Sequence, residues 1–92
     1  VTPELKAIEV ERGKVYGDPK TSHTNIGLVW TGLLQQHYGI TLSHPIPPEV
    51  VALMMVQFKA QRSARAFKKD NFDDLHVYAD FAERFQKPGE PG

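Results

Sequence analysis

Apolar positions recur along the middle of the chain at helical spacing. Ile26, Val29, Trp30, Leu33, Leu34 and Tyr38 follow one another at intervals of three and four, which places them on one stripe of an amphipathic helix. Asp18 with Pro19, or Thr24 slightly later, can start this helix, and Gly39 supplies its stop. The stripe, with Trp30 and Tyr38 in it, is expected to face the core. A further helix is predicted from Pro48, well suited to a first helical position, to about Phe67. It begins apolar all round, from Val50 to Val56, as expected of a central bundle helix or one at a subunit interface. Phe72, Leu75, Tyr78, Ala79, Ala82 and Phe85 line a last helix reaching to about Phe85, for which Asp70 offers an N-cap.

Upstream, Thr2-Pro3-Glu4-Leu5 reads as the start of another helix, to about Val15, with a sparse apolar set of Leu5, Ile8 and Val15. The segment from Ile40 to Pro48 carries three prolines and suits an irregular connection. No strand pattern is present. The expectation is an all-α, compact four-helix domain, bundle-like and oligomeric, over residues 1–86, followed by a flexible tail over 87–92.

Composition narrows this picture. The chain has 92 residues and 40% apolar content, enough for one domain with one core. It has no cysteine, which excludes disulfides and thiolate chemistry. No apolar run reaches the ~18–20 residues of a membrane span and no leader pattern opens the chain, so a cytoplasmic protein is expected. Eleven Lys+Arg balance eleven Asp+Glu, which argues against general nucleic-acid binding. The neutrality is uneven: Lys59, Arg62, Arg65, Lys68 and Lys69 form a cationic block, and Asp70, Asp73, Asp74, Asp80 and Glu83 follow as an acidic one.

Lys59 and Arg62 extend the surface that carries Met55 and Phe58, and antiparallel packing of the last two helices would bring one of them opposite Asp74, at the boundary of the buried stripe. Two readings follow: a partly buried ion pair that fixes helix register, or a cationic pocket for phosphate or carboxylate. The cluster Asp70, Asn71, Asp73 and Asp74 has oxygen ligands suited to Mg²⁺, but Asp70 also serves as a cap, Asp73 is expected to face solvent, and the opposing helix carries cations. His23, His37, His44 and His76 lack paired metal-ligand spacing and are expected on the surface or in loops. No glycine-rich phosphate loop or triad pattern is present.

The Tyr16-Gly17-Asp18-Pro19 turn, the helix with Trp30, the run Pro48 to Met55 leading to Lys59 and Arg62, and Asp70-Asn71 with Asp74 and Tyr78 together resemble a family of small phage and prophage proteins of unknown function. The resemblance covers about residues 10–85 and implies a phage origin, the cytoplasm of a bacterial host and an all-helical fold. More distantly, the helix order and the Asn71-to-Asp74 spacing are similar to the MazG-like all-α nucleoside triphosphate pyrophosphatases, in which four carboxylates on two helices hold Mg²⁺. Asp74 matches the final acidic position of that pattern, whereas Lys59 and Arg62 stand where acids would be required.

These readings converge on a non-catalytic, homo-oligomeric protein that binds a nucleotide or other phosphorylated ligand through Tyr16, Gly17, Asp18, Lys59, Arg62, Asn71, Asp74 and Tyr78, with no cofactor and no metal. An accessory or anti-defence protein that binds a host macromolecule is the alternative. A pyrophosphatase, which alone would need Mg²⁺, is the third.

Overall fold

The computed structural model describes residues 17–87. They form three helices and no strand: α1 (Pro19–Tyr38), α2 (Pro48–Ser63) and α3 (Lys69–Gln86). The helix expected over 3–15, the four-helix count that rests on it and most of the 87–92 tail lie outside the described residues. No described helix is long and apolar enough to cross a membrane.

Local chemistry fixes the helix ends. Asp18 caps α1, its carboxylate accepting from the Thr21 amide at 2.9 Å and the Thr21 hydroxyl at 3.1 Å, with Pro19 just inside the helix. Gly39 ends α1 in the left-handed conformation, φ 63°, where a β-carbon would be strained. Two expected boundaries move. α2 stops at Ser63, short of Phe67, with Ala64 bonding back to Ala60 and Gln61, and residues 64–68 form the turn. Lys68, not Asp70, is the N-cap position of α3; Asp70 lies in the first turn, where its charge complements the helix dipole without a capping bond.

The short turn folds α3 back antiparallel on α2, and this pair makes most of the interhelical contact. Ala52 of α2 packs with Val77, Phe81, Ala82 and Phe85 of α3, all buried, with Tyr78 partly buried against them. Val51 is also fully buried.

α1 departs from its sequence pattern. Its buried positions are His23, Gly27 and Thr31, four residues apart, and not the apolar stripe. The segment after Gly39 runs back along this face. The Leu42 amide donates to Gln35 Oε1 at 2.9 Å, and the Ile46 amide donates to Thr31 Oγ1 at 2.8 Å while the Thr31 hydroxyl donates to the Gly27 carbonyl at 2.7 Å. Gly27 lets Ile46 reach the helix backbone: a β-carbon there would collide with the Ile46 carbonyl and lie 3.3 Å from Val51 Cγ2. Gly27, Thr31 and Gln35 thus form a rail of small and polar residues for a proline-rich segment that cannot build a ladder of its own. Val29 and Leu33 remain 60% and 63% exposed, Tyr38 is exposed, and Trp30 is half-buried, which corrects the expectation of a buried stripe.

Candidate functional site

Antiparallel packing brings Lys59 against Asp74: Nζ lies 2.8 Å from Oδ2, and both side chains are mostly buried, at 14% and 13% exposure. Asp74 is thus partly buried beside the core face of α3 without belonging to the core itself. Asn71, Asp74 and Tyr78 follow at offsets of three and four and form one row; Asn71 is buried and Tyr78 half-buried. Arg62, one turn beyond Lys59, is exposed, with its guanidinium carbon 5.5 Å from the centre of the Phe58 ring. Among the described residues Arg62, Arg65 and Lys68 have no carboxylate partner, whereas Lys69 reaches Asp73 at 3.0 Å. That contact leaves Asp73 partly covered, with a side chain 20% exposed, where solvent was expected.

The structure does not gather all the expected site residues at one point. Tyr16 lies outside the described residues. Gly17, φ 84°, and Asp18 sit at the start of α1, on a concavity of about 400 Å³ lined also by Thr21, Asn25, Val29 and Trp30. None of Lys59, Arg62, Asn71, Asp74 and Tyr78 lines this concavity. The Thr21 amide is the largest influence holding the Asp18 carboxyl below its usual 3.8; burial opposes it, and the Thr21 hydroxyl, the Lys20 amide and Arg84 assist. The concavity therefore presents a carboxylate, which disfavours phosphate. The exposed cations at the α2–α3 turn favour it.

His23 corrects the expectation of a surface histidine. It is 6% exposed, with ring centres 5.8, 5.4 and 5.5 Å from those of Tyr78, Phe81 and Phe85. Nδ1 donates to the Pro19 carbonyl at 2.7 Å, since a carbonyl can only accept, and Nε2 is buried with no hydrogen-bond partner among the described residues. Burial holds this imidazole below its ordinary 6.5, against the opposing pull of the Pro19 carbonyl. A histidine whose folded-state pKa is depressed contributes stability that is present above 6.5 and is lost as pH falls through that value towards the folded pKa. Thermal unfolding from about pH 8 to about pH 5 is expected to show the melting temperature falling below 6.5, and His23→Leu is expected to flatten that limb.

Sequence reasoning missed two features. His23, Gly27 and Thr31 are legible as a period-four row of small and polar residues beside the apolar stripe. Phe67, which the composition of α2 places at the end of that helix, stands in the turn with its ring stacked on Phe72.

Among the described residues no group of three or more His, Asp or Glu side chains is placed to hold a metal ion. An all-helical domain with an ion-paired helix hairpin and a cationic, aromatic turn is the class that fold and site define. Within that class the chain belongs to the family of the domain of unknown function DUF6378, whose model matches residues 4–86. No curated protein and no solved structure matches the chain.

Proposed function

We propose that the chain is a small phage-encoded protein that binds a phosphorylated ligand at the α2–α3 turn and performs no chemistry on it. Arg62 carries this reading: an exposed guanidinium over the Phe58 ring, without a carboxylate partner among the described residues, and followed by exposed Arg65 and Lys68. A planar fork held on a ring suits bidentate contact with phosphate oxygens. Lys59 supports the hairpin through Asp74 in this arrangement, and the phage origin rests on the resemblance of residues 10–85 alone. A magnesium pyrophosphatase gains no support from this geometry, because Lys59 places a cation against Asp74, where Mg²⁺ would need anions.

Titration calorimetry with ATP and with inorganic tripolyphosphate tests the reading. Both are expected to bind, and Arg62→Ala is expected to weaken both by about 10- to 100-fold, the worth of a charge-assisted hydrogen bond. No binding of either, far above a plausible Kd, would overturn it.

A second reading, self-association, is favoured by the apolar stripes left outside the core. Val29 and Leu33 on α1, and Val50, Leu53 and Met54 at 38%, 43% and 42% exposure on α2, form more exposed apolar surface than scattered single residues would. We infer that a second copy covers them; a host protein is the alternative occupant. A monomer at every concentration in sedimentation velocity would remove the second-copy reading.

A further inference from the structure

We infer that Phe67 and Phe72 form a stacking platform for a nucleobase, so that the ligand of the cationic turn is a free nucleotide; this rests on the phosphate-binding reading above. Phe67 is 78% exposed, more than any other large apolar side chain among the described residues. It stands in the turn over 64–68, and the helix hairpin is closed without it by Ala52, Val77, Phe81 and Ala82. Its ring nevertheless has a defined pose, 5.8 Å from the Phe72 ring centre and inclined by 28°. That is a stack of two with the outer ring largely open to solvent, to which a third flat ring can add.

The charges beside the platform match what a nucleobase brings with it. Arg65 precedes Phe67 by two residues and Lys68 follows it directly, both exposed, and Arg62, over the Phe58 ring, lies three residues before Arg65. A sugar phosphate or an inorganic polyphosphate would use these cations and leave the exposed ring without a role. A nucleotide uses both, since every base offers a π-face and its phosphates meet the guanidinium and ammonium groups. Three cations on a chain of zero net charge suit one short polyphosphate better than a long polyanion.

The full chain, titrated with ATP and with tripolyphosphate, reads the base contribution directly. ATP is expected to bind about 5- to 150-fold more tightly, the range that stacking one base supplies. Phe67→Ala, at a position too exposed to decide folding, is expected to reduce ATP to the affinity of tripolyphosphate without changing the latter; Phe67→Leu does the same and Phe67→Trp restores the difference. Equal affinities in the wild-type chain, or a Phe67→Ala effect equal on both ligands, would overturn the platform while leaving the phosphate site standing. Failure of both ligands to bind would remove the phosphate site itself. A single-stranded oligonucleotide binding more tightly than ATP, with steep salt dependence, would overturn the free-nucleotide assignment.

Discussion

Gly27→Ala is expected to lower the melting temperature by about 10 °C or more, while Gly32→Ala, five residues along the same helix, is expected to raise it. The same methyl group is added to the same secondary structure, so helix propensity favours alanine at both sites by about 1 kcal/mol. The surroundings decide the sign. At Gly32 nothing lies within 4 Å of the new β-carbon, and the propensity gain stands alone. At Gly27 the β-carbon collides with the Ile46 backbone carbonyl and lies 3.3 Å from Val51 Cγ2. The returning segment must then move, at about 1–3 kcal/mol for overpacking, and about 1 kcal/mol more as the bond from the Ile46 amide to Thr31 weakens. The net loss of about 2 kcal/mol corresponds to about 8–16 °C in a domain of this size. Differential scanning calorimetry of the two variants checks the pair. A Gly27→Ala protein as stable as the wild type would show that the segment around Ile46 does not lie on α1 as described.

The same contact explains which parts of the fold could be read from sequence. Helix signals that act locally were legible: the Asp18 cap, Pro19 and Pro48 at helix starts, and the Gly39 stop all act within one or two turns. The face that α1 buries was not. Its apolar stripe has the stronger periodicity, but the buried face is chosen by a segment 15 residues away that needs hydrogen-bond donors, acceptors and a gap, which Thr31 and Gly27 provide. For the candidate site, counting turns on two antiparallel helices placed either Lys59 or Arg62 opposite Asp74, and the packing of the hairpin selects Lys59. That Gly17 and Asp18 line a concavity without Lys59, Arg62, Asn71, Asp74 or Tyr78 depends on how α1 packs on the hairpin, and no local pattern encodes that. The exposure of Phe67 followed from α2 ending four residues earlier than its composition indicates.

Asp74→Ala is expected to destabilise the chain by about 2–3 kcal/mol, somewhat below the 3–5 kcal/mol typical of breaking a fully buried pair, because both side chains retain some exposure. The loss has a direct cause: Lys59 is mostly buried, and its carboxylate partner among the described residues is gone. Lys59→Met preserves the length of the stem but leaves the mostly buried Asp74 carboxylate without its ammonium partner, so it is expected to cost a similar amount. The double variant Lys59→Met/Asp74→Leu, which replaces the pair with apolar volume, is expected to recover to within about 1 kcal/mol of the wild type. Urea unfolding of the wild type, Lys59→Met, Asp74→Leu and the double variant gives the coupling energy between the two positions. A positioning role in the hairpin and a role in binding then separate cleanly. If the pair supports the hairpin, Lys59→Met retains the tripolyphosphate affinity of the wild type while Arg62→Ala loses it. If Lys59 meets phosphate itself, Lys59→Met abolishes binding in a protein that is still folded, and Asp74→Ala, which releases the ammonium group, strengthens it. The contact at 2.8 Å favours the first outcome, since a phosphate would have to displace a carboxylate already seated on Lys59.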